Sequence, residues 1–200
     1  MLYGEKGTAK STLMELIKML VDPSAIQTLA FSKNIESMVQ KLVHNYICYF
    51  DNVSKISESI SDILCRAVTG SGFSKRELFT NDEDVIYNFK HCVGISGINL
   101  GATKSDLIDR GLIIEHIPIP KHMKRLLKEI WQKFFEIRPQ LLGYIFDILV
   151  KVLKFEKRNP RLADFAEVGE IISRCMGSKP GKFIEAYFRN IELQTSYSKR

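Results

Sequence analysis

The run Gly4-Glu5-Lys6-Gly7-Thr8-Ala9-Lys10-Ser11, followed by Thr12, constrains this chain more than any other stretch. It keeps the spacing G-x-x-x-x-G-K-[ST] with one departure, Ala9 in place of the last glycine. A loop of such small residues can wrap an anion with its backbone N–H groups. Lys10 is then the candidate to reach β- and γ-phosphates as a point charge, and the Ser11 hydroxyl the candidate for Mg²⁺. Alanine at position 9 keeps the small volume but gives up glycine's freedom at positive φ. The plain alternative is a glycine- and lysine-rich turn with no phosphate partner.

A phosphate loop has to open a helix, because the unpaired N–H groups of the first turn hold the anion. Residues 11–21 have helical periodicity, with Leu13, Leu16, Ile17 and Leu20 on one face, and they stop at Asp22-Pro23. Such a loop also follows a buried strand. Only Met1, Leu2 and Tyr3 precede it, so the chain reads as beginning inside its own domain, with the first strand largely missing.

Further along, Ile26–Phe31 reads as a short strand and Asn34–Val43 as a helix. Asn45–Phe50 is a β-rich apolar run ending in Asp51, the pattern of a buried parallel strand. Ser57–Val68 reads as a helix capped by Ser57 or Ser59 and stopped by Gly70-Ser71-Gly72. Lys75–Thr80 and Val85–Phe89 flank the polar tip Asn81–Asp84 and read as a β-hairpin. Cys92–Ile98 is another apolar strand ending at Asn99, Ser105–Arg110 a short helix, and Leu112–Ile119 a last strand. Beyond Pro120 only helices are expected, over Lys121–Phe135, Gln140–Phe155, Arg161–Met176 and from Gly181 onward. Strands alternating with helices, then helices alone, predict an α/β domain over residues 1–119 and a helical lid over 120–200.

Composition narrows the class. Of 200 residues, 45% are hydrophobic, which is ample for a packed core. No apolar run approaches the ~20 residues of a membrane span, and no signal peptide is visible, so an intracellular, cytoplasmic protein is expected. Cys48, Cys65, Cys92 and Cys175 lack metal or redox spacing and read as free thiols, mostly buried, while the four histidines show no ligand spacing. The net charge of +6 is uneven: residues 1–119 carry −2 and residues 120–200 carry +8. A basic final third suits a polyanionic partner such as nucleic acid, or else a solvated helical surface.

Asp51, at the end of an apolar strand some forty residues after Lys10, stands where a Mg²⁺-binding carboxylate would complete the phosphate loop. With these motifs the chain resembles the AAA+ P-loop ATPases, above all the helicase-like type of viruses, plasmids and integrated elements, often found with primases. The alanine before the lysine is also similar to the loop of minichromosome maintenance helicases. The resemblance covers nearly the whole chain and implies a three-layer sandwich with a mostly parallel sheet, followed by an α-helical lid. It implies binding of ATP and Mg²⁺, a homo-oligomeric ring, and DNA and replication proteins such as a primase as partners.

The resemblance also assigns roles. Tyr49-Phe50-Asp51-Asn52 matches the Walker B segment, and Asn99 the polar sensor-1 residue that orients the attacking water. Asp106-Leu-Ile-Asp-Arg110 resembles the arginine-finger segment, with Arg110 reaching a neighbouring subunit's nucleotide. Arg161, opening a lid helix, stands where a sensor-2 arginine contacts the γ-phosphate in cis. The hairpin at 74–89 occupies the place of a DNA-tracking hairpin, with Lys75, Arg76 and Lys90 as phosphate contacts. Plainer readings exist: Asn99 as a turn residue, Arg110 as a cation at a helix C-terminus, Arg161 as a surface residue, and the acidic hairpin tip as a subunit contact or solvated turn. Asn52 departs from the pattern, since many relatives carry there a glutamate that serves as base. An amide cannot abstract a proton, so Glu58 or Asp62 would have to act, or turnover is slow. The aromatic residues Trp131, Phe134, Phe135, Tyr144, Phe146 and Phe155 have helical spacing and read as core rather than as stacking platforms for bases.

Overall fold

The computed structural model describes residues 1–70, 73–76, 84–87, 90–98, 105–155 and 161–198. They divide into two compact units, Met1–Met123 together with the chain from Gln194, and Lys124–Leu193.

The first unit is an α/β structure around a four-stranded parallel sheet. Its strands are β1 (Leu2–Tyr3), β2 (Ile47–Phe50), β5 (Cys92–Gly97) and β6 (Ile114–Glu115), in the order β2-β5-β1-β6. The two-residue β1 sits inside the sheet: Leu2 is in register with Ser96 on one side and Ile114 on the other. Strand β2 is buried along its whole length, as a parallel strand covered on both faces must be. Its alternate side chains divide between two layers. Cys48 and Phe50 pack with Met38, Leu42, Ile60 and Leu64 of helices α2 (Ile35–Val43) and α3 (Glu58–Thr69). Tyr49 points to the other face, where helix α1 (Lys10–Val21) covers β5: a Cβ on Gly94 would lie 2.4 Å from Met14 Cε and 3.2 Å from the Tyr49 ring.

Local signals explain the elements that the sequence foretold. Asn34 caps α2 by accepting from the Ser37 N–H at 3.0 Å, and α3 runs from its N-cap Ser57 to Gly70. Strands β3 (Phe73–Arg76) and β4 (Asp84–Tyr87) pair antiparallel, with Arg76 opposite Asp84. The expected hairpin is therefore present, but Asp84 belongs to a strand and not to the tip. Residues 77–83 lie outside the described residues.

Several expectations need correction. The strand expected at 26–31 is reduced to one parallel bridge, Leu29 to Phe50. The last strand spans two residues instead of the eight of Leu112–Ile119. Helix α1 does not bury the face carrying Leu13 and Ile17, which are 40% and 38% exposed; its one fully buried side chain is Lys18. The reason is polar. Lys18 Nζ donates to Ile47 O (2.8 Å), Asp22 Oδ2 (3.1 Å) and Asn45 Oδ1 (3.3 Å), and Asp22 Oδ2 accepts from Ile47 N at 2.8 Å. This pair, a fully buried Lys18 with a partly exposed Asp22, ties the end of α1 to the start of β2, and the rest of α1 is turned to suit it. Among the cysteines Cys48 and Cys65 are buried free thiols, but Cys92 is exposed and Cys175 intermediate.

The second unit is helical. Two helices were expected on either side of Pro139; instead α5 (Leu127–Phe155) runs through it for 29 residues. One proline deletes one backbone donor, but the buried positions Phe134, Ile148 and Val152 keep a single face across it, so packing carries the helix past the break. Residues 121–123 form a separate 3-10 turn. Helix α6 (Arg161–Cys175) is joined to α7 (Lys182–Ser198) through Glu170, which accepts from Arg174 Nε at 2.9 Å and from Gly181 N at 2.6 Å. Of the aromatics read as core, Phe134 is buried, whereas Phe135, Tyr144 and Phe146 are exposed.

Candidate functional site

The loop between β1 and α1 is held by its own chemistry. Gly4 has φ 141, and a Cβ there would lie 2.3 Å from His116 O, so only glycine fits. His116, just after β6, supports the loop from below. Its N–H donates to Tyr3 O at 2.8 Å, and its ring Nδ1 lies 3.1 Å from Thr8 O. Lys10 Nζ bridges the loop, donating to Gly4 O and Glu5 O at 2.8 Å each and to Thr8 Oγ1 at 3.1 Å. Ala9 takes the left-handed conformation, φ 59 and ψ 24, at the N-cap of α1. No side chain caps this helix, in contrast to Asn34 on α2. Its first-turn N–H groups have no intrahelical acceptor and give the loop a positive end.

Across from the loop stands the end of β2. Asp51 Oδ2 accepts from Ser11 Oγ at 2.7 Å, joining residues forty positions apart. Asp51 Oδ1 accepts from Tyr49 OH at 3.1 Å, from Asn52 N at 2.9 Å and from Ser96 Oγ. Burial pushes the Asp51 carboxyl up, but the bonds from Ser96, Ser11, Tyr49 and Asn52 N outweigh it and hold the group below its ordinary range, ionised at neutral pH. Burial pushes the Tyr49 hydroxyl up to about 12, so it stays a donor. Asn52 also adopts positive φ (54), and its N–H lies 3.3 Å from Ser96 Oγ.

A cleft of about 480 Å³ opens between these parts, lined by residues 6–12 of the loop and helix, by Asp51 and Asn52, and by Ser96–Ile98. It brings together Lys6, Lys10, Ser11 and Thr12 of the loop and helix, Asp51 and Asn52 after β2, and Ser96 of β5, from three separate segments. A backbone-lined loop, a lysine and an open helix N-terminus suit a phosphate chain. A hydroxyl and an ionised carboxylate 2.7 Å apart are hard oxygen donors of the kind Mg²⁺ takes.

The other expected residues lie elsewhere. Arg110 follows α4 (Ser105–Asp109) and is tied to Asp106 Oδ1 by Nε at 3.1 Å and Nη2 at 2.9 Å; it does not line the cleft. Neither Glu58 nor Asp62 of α3 lines it. Asn99 lies outside the described residues. Arg161 opens α6 in the second unit, Lys75 and Arg76 belong to β3, and Lys90 is exposed after the hairpin.

Two residues of the site were missed in the sequence. Ser96 lies in the apolar run that leads to Asn99, and Tyr49 in the apolar run and Walker B-like segment that lead to Asp51, and neither pattern gives them a role of their own. Both carried a signal: a hydroxyl two positions before Asp51 shares its strand face, and Ser96 is a lone hydroxyl within β5.

No curated protein matches the chain. Over residues 1–188 it matches the family of actinomycete integrative conjugative element replication proteins, and with nearly its whole length so covered the chain belongs to that family of mobile-element replication proteins.

Proposed function

We propose that this chain is an ATP-binding AAA+ ATPase module of a helicase or replication protein, which hydrolyses ATP to remodel DNA during replication of its element. The observation that carries the reading is the Ser11–Asp51 hydrogen bond beside the lysine-bridged loop at the uncapped start of α1. In this reading residues 4–12 cradle the phosphates through backbone N–H groups, and Lys10 exchanges its loop carbonyls for phosphate oxygens. Ser11 and Asp51 hold Mg²⁺. Mg²⁺, when bound, neutralises charge on the phosphate chain. Asn99 would orient the attacking water, Arg161 is the candidate sensor for the γ-phosphate, and Arg110 would leave Asp106 to complete the site of the next subunit in a homo-oligomeric ring. The basic final third, +8 over residues 120–200, is the candidate DNA-binding region, Lys75, Arg76 and Lys90 are candidate phosphate contacts, and a primase is a fitting partner. The reading divides the chain into an ATPase core over 1–119 and a lid over 120–200.

The test is Mg·ATP binding by calorimetry. Lys10→Ala is expected to weaken it at least about 30-fold, the worth of a lost charge-assisted contact of roughly 2 kcal/mol. Unchanged affinity refutes the assignment.

Asn52 favours a second reading, an ATP-binding switch or loader with little hydrolysis. Asn52 lines the cleft where a base would stand, and among the described residues no carboxylate other than Asp51 lines it. ATP-dependent capture of a replication partner without phosphate release distinguishes this switch from a motor.

A further inference from the structure

Asp51 is gripped unequally on its two oxygens. Oδ1 accepts from Tyr49 OH, Ser96 Oγ and Asn52 N, whereas among the described residues Oδ2 has Ser11 Oγ alone. A carboxylate oxygen offers two in-plane lone pairs, so Oδ1 is saturated and Oδ2 keeps one free. The donors on Oδ1 come from inside the sheet: Tyr49 and Ser96 are both fully buried, on the adjacent parallel strands β2 and β5. A buried tyrosine hydroxyl needs a partner, and here the partner is the carboxylate two residues along its own strand. Ser96 does more than donate. Its Oγ lies 3.3 Å from the N–H of Asn52 and its carbonyl accepts from Val53 N at 2.8 Å, fastening the turn after β2 to β5.

We propose that Tyr49 and Ser96 are positioning residues for the metal-binding edge of the site: by filling Oδ1 from within the sheet they fix the plane of the Asp51 carboxylate, so that Oδ2 alone, beside Ser11, is presented to a divalent cation. This deepens the Mg·nucleotide reading above and rests on it. The carboxylate cannot rotate toward the cation without breaking three bonds at once, so its orientation exists before the ligand arrives.

The experiment uses the full chain and the variants Tyr49→Phe, Ser96→Ala and Ser96→Thr. Circular dichroism checks that each is folded. Two readouts are taken. The first needs no ligand: the Asp51 carboxyl carbon is titrated by NMR. Removing either hydroxyl is expected to move its midpoint upward, and Ser96→Thr, which keeps a hydroxyl, is expected to restore most of the shift. The second is Mn²⁺ affinity in the presence of ADP, followed by the EPR signal of free Mn²⁺. Tyr49→Phe and Ser96→Ala are each expected to weaken Mn²⁺ about ten-fold, the scale of one hydrogen bond to a charged group, while ADP affinity in EDTA stays within about two-fold. A purely packing role moves neither the titration nor the metal affinity. Unchanged midpoints and unchanged Mn²⁺ affinity in both variants overturn the proposal and leave the nucleotide reading standing. Wild-type protein that binds neither ADP nor Mn·ADP overturns both.

Discussion

Replacing Ala9 with glycine is expected to stabilise the protein. Ala9 sits at φ 59 and ψ 24, where an L-residue's Cβ crowds the following carbonyl. That crowding costs alanine about 1–2 kcal/mol relative to glycine. Glycine gives back roughly 0.4–1 kcal/mol because its unfolded chain has more freedom to lose. The Ala9 side chain is exposed, so removing its methyl forfeits little packing. The balance favours Ala9→Gly by about 0.5–1 kcal/mol. In a chain of this length that is a rise in Tm of roughly 1–4 °C. The assay is thermal and urea unfolding of wild type beside Ala9→Gly, Ala9→Asn and Ala9→Val without nucleotide. Glycine should be the most stable of the four. Asparagine, which tolerates the left-handed region, should fall near wild type, and β-branched valine should be the least stable. A glycine variant less stable than wild type refutes the reasoning, because Ala9 would then not hold positive φ in solution.

At Gly4 the opposite outcome is expected: Gly4→Ala combines φ 141 with a Cβ 2.3 Å from the His116 carbonyl, and should cost more than about 2 kcal/mol by urea denaturation. Lys18→Met leaves Asp22 and Ile47 O without their buried cation and should destabilise by about 2–3 kcal/mol, discounted because the Asp22 side chain is 25% exposed; adding Asp22→Asn should recover part of the loss in a double-mutant cycle. The pH dependence of stability follows from Asp51. Its folded-state value is depressed, so its contribution is fully present above the ordinary carboxylate range and is lost as pH falls through the folded value, below about pH 4. Asp51→Asn should therefore flatten the acid limb of stability against pH, and an acid limb identical to wild type would remove Asp51 from the account.

Much of the first unit was legible because its signals are local. Asn34 caps a helix with its own side chain, an apolar run without a polar break reads as a buried strand, and Gly70 ends a helix, all within a few residues. Where the sequence misled, the deciding interaction was distant. Leu13 and Ile17 have the right spacing for a core face, yet Lys18 is the side chain taken inside, because its partners Asn45 and Ile47 lie 27 and 29 residues away. Ile26–Phe31 has strand composition but pairs with β2 only through Leu29. The break expected between Phe135 and Gln140 is absent, because the packing that offsets the local cost of Pro139 is not visible in the sequence.

The candidate site divides in the same way. Spacing alone singled out the glycine, lysine and serine of the loop as candidates, because backbone wrapping of an anion would demand small residues at fixed offsets just before a helix. Spacing also singled out Asp51 as a carboxylate at the end of a buried strand. That Ser11 and Asp51 meet at 2.7 Å was settled by the parallel sheet, which sets β2 beside β5 and β5 beside β1. The same strand order gives Tyr49 and Ser96 their partner, since a hydroxyl on an apolar strand is only packing until a neighbouring strand brings a carboxylate to it. Chemistry carried by consecutive residues is written in the sequence, whereas chemistry assembled across strands exists only once the strands have paired.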